Sequence, residues 1–146
     1  MYVYVIAAYG AAPRVRALHA RLRAEGYEPS STWAEEATGP ECLDDADAAN
    51  AAWIRNHNDL ERSAAVVVLA DTPMREGWCE VARCQDSGRD VIVVGPPNLT
   101  TRALRWDHVA DDEAAIRALE DYRRCPGGCG AYAVDCWRGA CRRMGP

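Results

Sequence analysis

Blocks of hydrophobic and polar positions alternate along the chain and predict alternating strands and helices. Three continuous apolar runs are typical of strands that are buried on both faces, and four segments with apolar residues at helical spacing predict helices. We expect strands at residues 2–8, 28–33, 64–70, 90–94 and 106–109. We expect helices at residues 13–25, 47–62, 77–86 and 111–122.

Strands that alternate with helices favour a parallel sheet whose crossovers are right-handed. We therefore predict an α/β domain over residues 1–122, with a flavodoxin-like, doubly wound parallel sheet of about five strands and helices on both faces. Residues 123–146 form a separate Cys- and Arg-rich tail. The polar segment 34–46 is long for a compact domain, which makes it a candidate functional loop.

Charge and composition narrow the class of protein. The chain has 146 residues and a net charge of −5, which argues against binding to polymeric nucleic acid because such proteins carry a basic surface. All 17 basic residues are Arg. No apolar run approaches the roughly 18 residues that cross a bilayer. The first apolar run has no basic region before it, so we expect a strand and not a signal peptide. Seven cysteines without such a signal favour a reducing cytoplasm.

Candidate chemistry lies in the loops that follow the predicted strands, because ligands bind beyond the carboxyl ends of parallel strands. Asp71 follows the third strand, and Glu80 lies in the first turn of the next helix, where the helix dipole favours its ionised form. An ionised carboxylate suits cleavage of an N-glycosidic bond, because positive charge develops on the sugar ring. Tyr9, Gly77 and Trp78 are candidate substrate-binding residues in these loops, and Trp78 could stack on a base. From their spacing alone, Glu80 could equally be a partner of the helix dipole, and Asp71 could be a helix N-cap or turn residue.

Longer motifs carry a resemblance. VYVIAAYG followed by STW, and NDLERSAAVVVLADTP followed by REGWCEVARCQDSGRDVIVVG, resemble the nucleoside 2-deoxyribosyltransferase-like proteins over roughly residues 2–120. The resemblance implies cleavage of the N-glycosidic bond of a nucleoside or its 5′-monophosphate, most often 2′-deoxy, by hydrolysis or transfer through a covalent glycosyl-enzyme. It also implies a homo-oligomer and a reaction without a cofactor.

The resemblance assigns roles to individual positions. Glu80 matches the glutamate that attacks the anomeric carbon, and Asp59 matches the aspartate that assists the departing base. Tyr4 matches a tyrosine that orients the nucleophile. Asp71 lies near the position at which the family has a further acid that holds the sugar or base. Arg14 could reach a 5′-phosphate or simply face solvent.

Other classes of protein also have to be compared with this sequence. Toll/interleukin-receptor-like NAD-cleaving domains also place Trp and Cys before a catalytic glutamate. In those domains the glutamate lies further from the Trp-Cys pair than it does in Trp78-Cys79-Glu80. Cytokinin-activating phosphoribohydrolases have a P-G-G-x-G-T loop that this chain lacks. A non-catalytic nucleotide-binding or assembly module is the alternative outside enzymes. It stays open because the family's E-x-G-x-A run is replaced here by the bulkier run Glu80-Val81-Ala82-Arg83-Cys84.

Four cysteines in the tail have the spacing C-x3-C-x6-C-x4-C and could hold a structural zinc ion, although disulfides or reduced thiols fit as well. They are Cys125, Cys129, Cys136 and Cys141. Cys42, Cys79 and Cys84 show no ligand spacing, so we expect them to be small buried residues.

Overall fold

The protein is described from a computed structural model that covers residues 1–35, 45–72, 74, 77–87, 89–97 and 106–123. Its centre is a sheet of five strands, all parallel, in the order β2-β1-β3-β4-β5. The strands are β1 (Tyr2–Ile6), β2 (Glu28–Pro29), β3 (Ala65–Leu69), β4 (Asp90–Val94) and β5 (Asp107–Val109). This order is the flavodoxin-like arrangement, so the predicted fold class is confirmed.

Among the described residues, four α-helices surround the sheet: α1 (Ala12–Ala24), α2 (Ala46–Arg62), α3 (Gly77–Ser87) and α4 (Asp112–Arg123). The chain moves in one direction from β1 to β2 and in the other from β2 to β3 and β4. Right-handed crossovers therefore place α1 on one face and α2 with α3 on the other. Side-chain contacts agree with this pairing, since Arg83 of α3 contacts His57 of α2 and Arg14 of α1 contacts Asp112 of α4.

The core consists of the apolar residues of β1, β3 and β4 together with the inner faces of the helices. Val15, Leu18 and Leu22 of α1 are buried, as their helical spacing predicts. Pro13 lies in the first turn of α1, where its missing N–H is not needed. The side chain of Asp45 accepts the N–H groups of residues 47 and 48 and so begins α2. None of the helices within the described ranges is long and apolar enough to span a membrane.

The predicted second strand is shorter than expected. Pairing ends at Pro29, and residues 32–34 form a 3-10 turn instead of strand. The reason is a tertiary contact that the local pattern does not contain: Asp59 of α2 accepts both the backbone N–H and the hydroxyl of Thr32. Other predicted boundaries differ by one or two residues, as is usual for element ends. Most of the predicted functional loop, residues 36–44, lies outside the described residues.

Candidate functional site

Glu80 is brought to the sheet by the close packing of α3 against β1. A Cβ atom on Gly77, three residues before it, would lie 2.8 Å from Cγ2 of Ile6. Any larger residue at position 77 would therefore push the start of the helix away from the strand. With glycine there, the hydroxyl of Tyr4 on β1 donates a 3.0 Å hydrogen bond to Oε1 of Glu80. The predicted contact between these two residues is present.

The carboxyl group of Glu80 is shielded from water, and no described cation is ion-paired with it. Burial raises its pKa from 4.5 to about 7, and hydrogen bonds from Tyr4 and Asn56 offset only part of that rise. Sequence reasoning expected the helix dipole to keep Glu80 ionised, but desolvation is the larger effect here. A carboxyl group with a pKa near neutrality, in a cleft, is typical of functional sites more than of surface helix ends.

Tyr4 is fully buried, and its hydroxyl stays protonated. Burial is the largest cause of the raised pKa of Tyr4, and the charges of Glu80 and Asp59 add to it. The phenol can therefore act only as a hydrogen-bond donor toward Glu80 at physiological pH. The charge of Asp59 also acts on this hydroxyl, although Asp59 itself bonds to Thr32 and Arg62. The structure thus shows a direct contact for Tyr4 and Glu80, and the catalytic role of Asp59 stays a prediction.

A narrow cleft between α2 and α3 contains Glu80. It is too tight to hold a water-sized sphere and is lined by Trp53, His57, Leu60, Glu80 and Arg83. Half of the Trp53 side chain is exposed at the cleft, which leaves an aromatic surface available to a ligand.

Asp59 is buried and already has hydrogen-bonding partners on both carboxylate oxygens. Thr32 donates two bonds to Oδ2, the shorter at 2.6 Å from its hydroxyl, and Arg62 pairs with Oδ1. These contacts fix the 3-10 turn against α2. To assist a departing base, Asp59 would have to exchange one of them for a bond to the substrate.

Arg14 and Asp71 contact each other and not the Glu80 group. The guanidinium of Arg14 bonds to both oxygens of Asp71, at 2.8 and 2.9 Å, and to Asp112 on α4. The backbone of Asp71 also packs against Gly95, whose φ of +117° places it in the region that favours glycine. Arg14 is therefore partly exposed but ion-paired, and it would meet a phosphate only with the loss of these ion pairs. Its predicted role in binding stays a prediction.

The aromatic candidates differ in their surroundings. Tyr9 packs edge-on against Trp33, with ring centroids 5.5 Å apart, and the indole N–H of Trp33 donates to the Val5 carbonyl. Trp33 is thus a buried packing residue. Trp78 is half-buried and packs against the core. Its role in binding a base stays a prediction.

A second polar cluster lies beneath α1. Ser31 Oγ accepts the Val5 N–H and lies 2.8 Å from Nε2 of His19, while Nδ1 of His19 lies 3.0 Å from Glu35. The order Ser–His–Glu resembles a hydrolase triad, but His19 and Ser31 are each 1% exposed, so no substrate can reach the hydroxyl. Burial lowers the pKa of His19, which favours the neutral ring that this chain of bonds needs. The cluster supports the fold.

Sequence reasoning missed three residues near Glu80: Trp53, Asn56 and Arg83. Trp53, Asn56 and Leu60 recur at helical spacing along α2, and Arg83 follows Glu80 by one turn. The spacing of these residues could be seen in the sequence. Their position beside Glu80 became clear only from the contact between the two helices. His57 also lines the cleft and contacts Arg83 at 3.2 Å.

The cysteines give a mixed result. Cys84 is buried, as expected, whereas Cys79 is exposed, so its predicted burial is wrong. Cys79 precedes Glu80 by one position, and the two side chains leave α3 in different directions. Cys42 and the four tail cysteines lie outside the described residues, and the zinc prediction stays a prediction. Within the described ranges no group of His, Cys, Asp and Glu could hold a metal ion.

Comparison with known proteins gives one structural likeness. No protein-family model and no curated protein sequence matches the chain. The fold is similar to that of the CMP N-glycosidase BcmB from Clostridium botulinum, with a TM-score of 0.54 and 14% sequence identity. The likeness covers 84% of this chain and 100% of that one. At this identity the comparison supports the α/β fold and leaves activity to be argued from the site.

Proposed function

We propose that the protein cleaves the N-glycosidic bond of a nucleoside or nucleoside 5′-monophosphate, with Glu80 as the nucleophile. The observation that carries the proposal is the surroundings of Glu80. Its carboxyl group is half-buried, lines a cleft, accepts a hydrogen bond from Tyr4 and has no ion-pair partner among the described residues. A carboxylate that is oriented by a hydrogen bond, and whose charge no ion pair cancels, can stabilise positive charge that develops on a substrate.

The reaction begins when an oxygen of ionised Glu80 attacks C1′ of the sugar. A carbon–oxygen bond forms as the C1′–N bond breaks, and the base departs with the electron pair of that bond. The transition state carries positive charge on the sugar, which the negative carboxylate stabilises. Water then attacks C1′ of the glycosyl-enzyme, the ester bond to Glu80 breaks, and Glu80 is released as a carboxylate. The proton that water loses balances the proton that the departed base takes up, so the products are the free base and the sugar. We favour water over a second base as the acceptor, because nothing in the sequence marks a second base site.

The role of Tyr4 follows from its contact. Its hydrogen bond holds one oxygen of Glu80 and leaves the other lone pairs for C1′. Asp59 is the candidate that assists the base, and its charge acts on the Tyr4 hydroxyl. Because both of its oxygens are engaged by Thr32 and Arg62, we propose that substrate binding replaces one of these bonds.

The substrate class is supported by the cleft and by the structural likeness. Glu80 lines the cleft, and the exposed ring of Trp53 offers a stacking surface there. The cleft is tight, so we propose that α2 and α3 separate slightly when a sugar binds. The similar structure is described as an N-glycosidase of CMP, a nucleoside monophosphate. We therefore propose a pyrimidine or purine nucleoside, or its 5′-monophosphate, as the substrate and no cofactor for the reaction.

The test is release of free base from a panel of ribo- and deoxyribonucleosides, their 5′-monophosphates and NAD, followed by chromatography. We expect base from at least one nucleoside or monophosphate, and none from the Glu80→Gln variant. Glu28→Gln, which changes an exposed acid on β2, is the matched control and should retain the activity. Release of nicotinamide from NAD alone would favour the NAD-cleaving alternative. Binding of a nucleotide without any release would favour a non-catalytic module.

A further inference from the structure

Asn56 of α2 is the residue near Glu80 that neither the sequence nor the resemblance assigns. It lies one helical turn from Trp53 and Leu60, which line the cleft together with Glu80. Its side chain is close enough to the Glu80 carboxyl group for a hydrogen bond that favours the ionised form. Glu80 is therefore held from two elements, by Tyr4 from the sheet and by Asn56 from the neighbouring helix. Both partners are uncharged donors.

We propose that Asn56 is a positioning residue that holds the Glu80 carboxyl group for attack and adapts to its protonation state. This inference rests on the proposed function. A neutral donor can orient a nucleophilic carboxylate without cancelling the charge that the reaction uses. An Arg or Lys at position 56 would form an ion pair there and oppose the same reaction.

The second atom of the amide group supports this role. Oδ1 of Asn56 is buried and has no hydrogen-bond partner within the described part of the chain. An unmet buried acceptor is costly unless another state of the protein uses it. When Glu80 takes up a proton it becomes a donor, and a half-turn of the amide group brings Oδ1 to accept that O–H. One side chain can thus hold both forms of the carboxyl group.

Several charged groups surround the pair, and the proposal has to be separated from their effects. His57 and Arg83 contact each other at the cleft and give no ion pair to Glu80 among the described residues. The groups packed around the Tyr4–Glu80 pair are Tyr4 on β1, His57 and Asp59 on α2, and Arg83 and Cys84 on α3.

The first test uses the wild-type protein and does not depend on activity. In protein labelled with ¹³C-glutamate, the Glu80 side-chain carboxyl signal is identified by its absence in Glu80→Gln, and its titration is followed by NMR. The side-chain amide signals of Asn56 should move with the same midpoint as this carboxyl group. Amide signals that do not respond to that titration overturn the proposal.

The second test uses substitution. Asn56→Leu removes the donor and should raise the Glu80 midpoint, because a hydrogen bond to the ionised form is lost. Asn56→Asp keeps the shape, adds a like charge and should raise it further. Asn58→Leu and Asn58→Asp, at an exposed Asn two residues on, are the matched controls and should leave the midpoint in place. An unchanged midpoint in both Asn56 variants contradicts the proposal.

Kinetics then connect the contact to catalysis. For Asn56→Leu, the loss of kcat/KM at pH 6 should exceed the loss at pH 8.5 by about tenfold for each unit that the midpoint rises. Equal losses at both pH values, with a shifted midpoint, would overturn the catalytic part. If the wild type releases no base from any substrate while the midpoint still shifts, the proposed function fails and the contact of Asn56 with Glu80 stands.

Discussion

The hydroxyl of Tyr4 donates a 3.0 Å hydrogen bond to Oε1 of Glu80, joining the third residue of a buried strand to the first turn of a helix 76 positions later. The contact depends on Gly77, since a side chain there would meet Ile6. It gives the Glu80 carboxyl group a fixed orientation inside a cleft. The following predictions test what that orientation does.

Tyr4→Phe should reduce kcat/KM by roughly 10- to 150-fold, because hydrogen bonds to charged groups contribute about 1.5–3 kcal/mol. The same change should raise the pH at which activity appears, since the bond that favours ionised Glu80 is gone. Steady-state kinetics from pH 5 to 9 measure both effects. Tyr2→Phe is the matched control, as Tyr2 lies on the same strand and is 49% exposed. A Tyr4→Phe enzyme with the wild-type rate and profile would show that the bond has no catalytic role.

Activity should rise with pH through about 7, because attack on C1′ needs ionised Glu80 and burial raises its pKa to about that value. The measurement is kcat/KM for base release between pH 5 and 9, with protein stability checked at each pH. Below the midpoint, each unit of pH should lower kcat/KM about tenfold. A rate that is flat from pH 5 to 8 would mean that the group responsible titrates elsewhere.

Glu80→Gln should make the folded protein more stable at alkaline pH. The pKa of Glu80 is about 7 when folded and 4.5 when unfolded, so the folded state binds more protons between these values. Its contribution to stability is complete below pH 4.5 and is lost as pH rises through 7. At 1.36 kcal/mol per unit, the variant should gain at most about 3 kcal/mol at pH 8 and little at pH 4. Urea unfolding at both pH values measures this, and a variant less stable at pH 8 would contradict the assigned burial cost.

The buried His19 should make the protein less stable in mild acid. Its pKa is lowered on folding, chiefly by burial, so the unfolded state binds more protons below its ordinary value of 6.5. The stability associated with the neutral ring is present above pH 6.5 and is lost as pH falls from there toward the folded pKa. In His19→Gln, unfolding free energies should vary less between pH 7.5 and 5.5 than in the wild type. His57→Gln is the control at the cleft. If the pH dependence of the unfolding free energy were reduced in His57→Gln and not in His19→Gln, the assignment of this effect to His19 would be wrong.

Much of the fold could be predicted because it depends on local pattern. The buried strand at 90–94 is a continuous apolar run, and α1 has Val15, Leu18 and Leu22 at helical spacing. The 3-10 turn at Thr32 could not be predicted, since it depends on Asp59 from another helix. The ion pairs of Arg14 could not be predicted for the same reason. Asp71 lies 57 positions after Arg14 in the sequence, and Asp112 lies 98 positions after it.

The site was predicted in part. Glu80, Tyr4 and Asp59 came from the resemblance, and the structure shows a hydrogen bond between the first two. Asn56 could not be found from the sequence, because an Asn on a helix face has no meaning until the opposing helix is known. The high pKa of Glu80 was also missed, since the dipole at a helix start is a local property and burial is a property of the assembled fold.

The most direct measurement of the central claim is the mass of the protein during turnover. Wild type mixed with a cleaved nucleoside or monophosphate, quenched in acid within milliseconds and digested, should contain a glycosyl ester on the peptide that includes Glu80. The added mass should equal that of the sugar portion of the substrate, and it should be absent in Glu80→Gln. Rapid base release with no sugar on that peptide, or with sugar on another residue, would contradict Glu80 as the nucleophile.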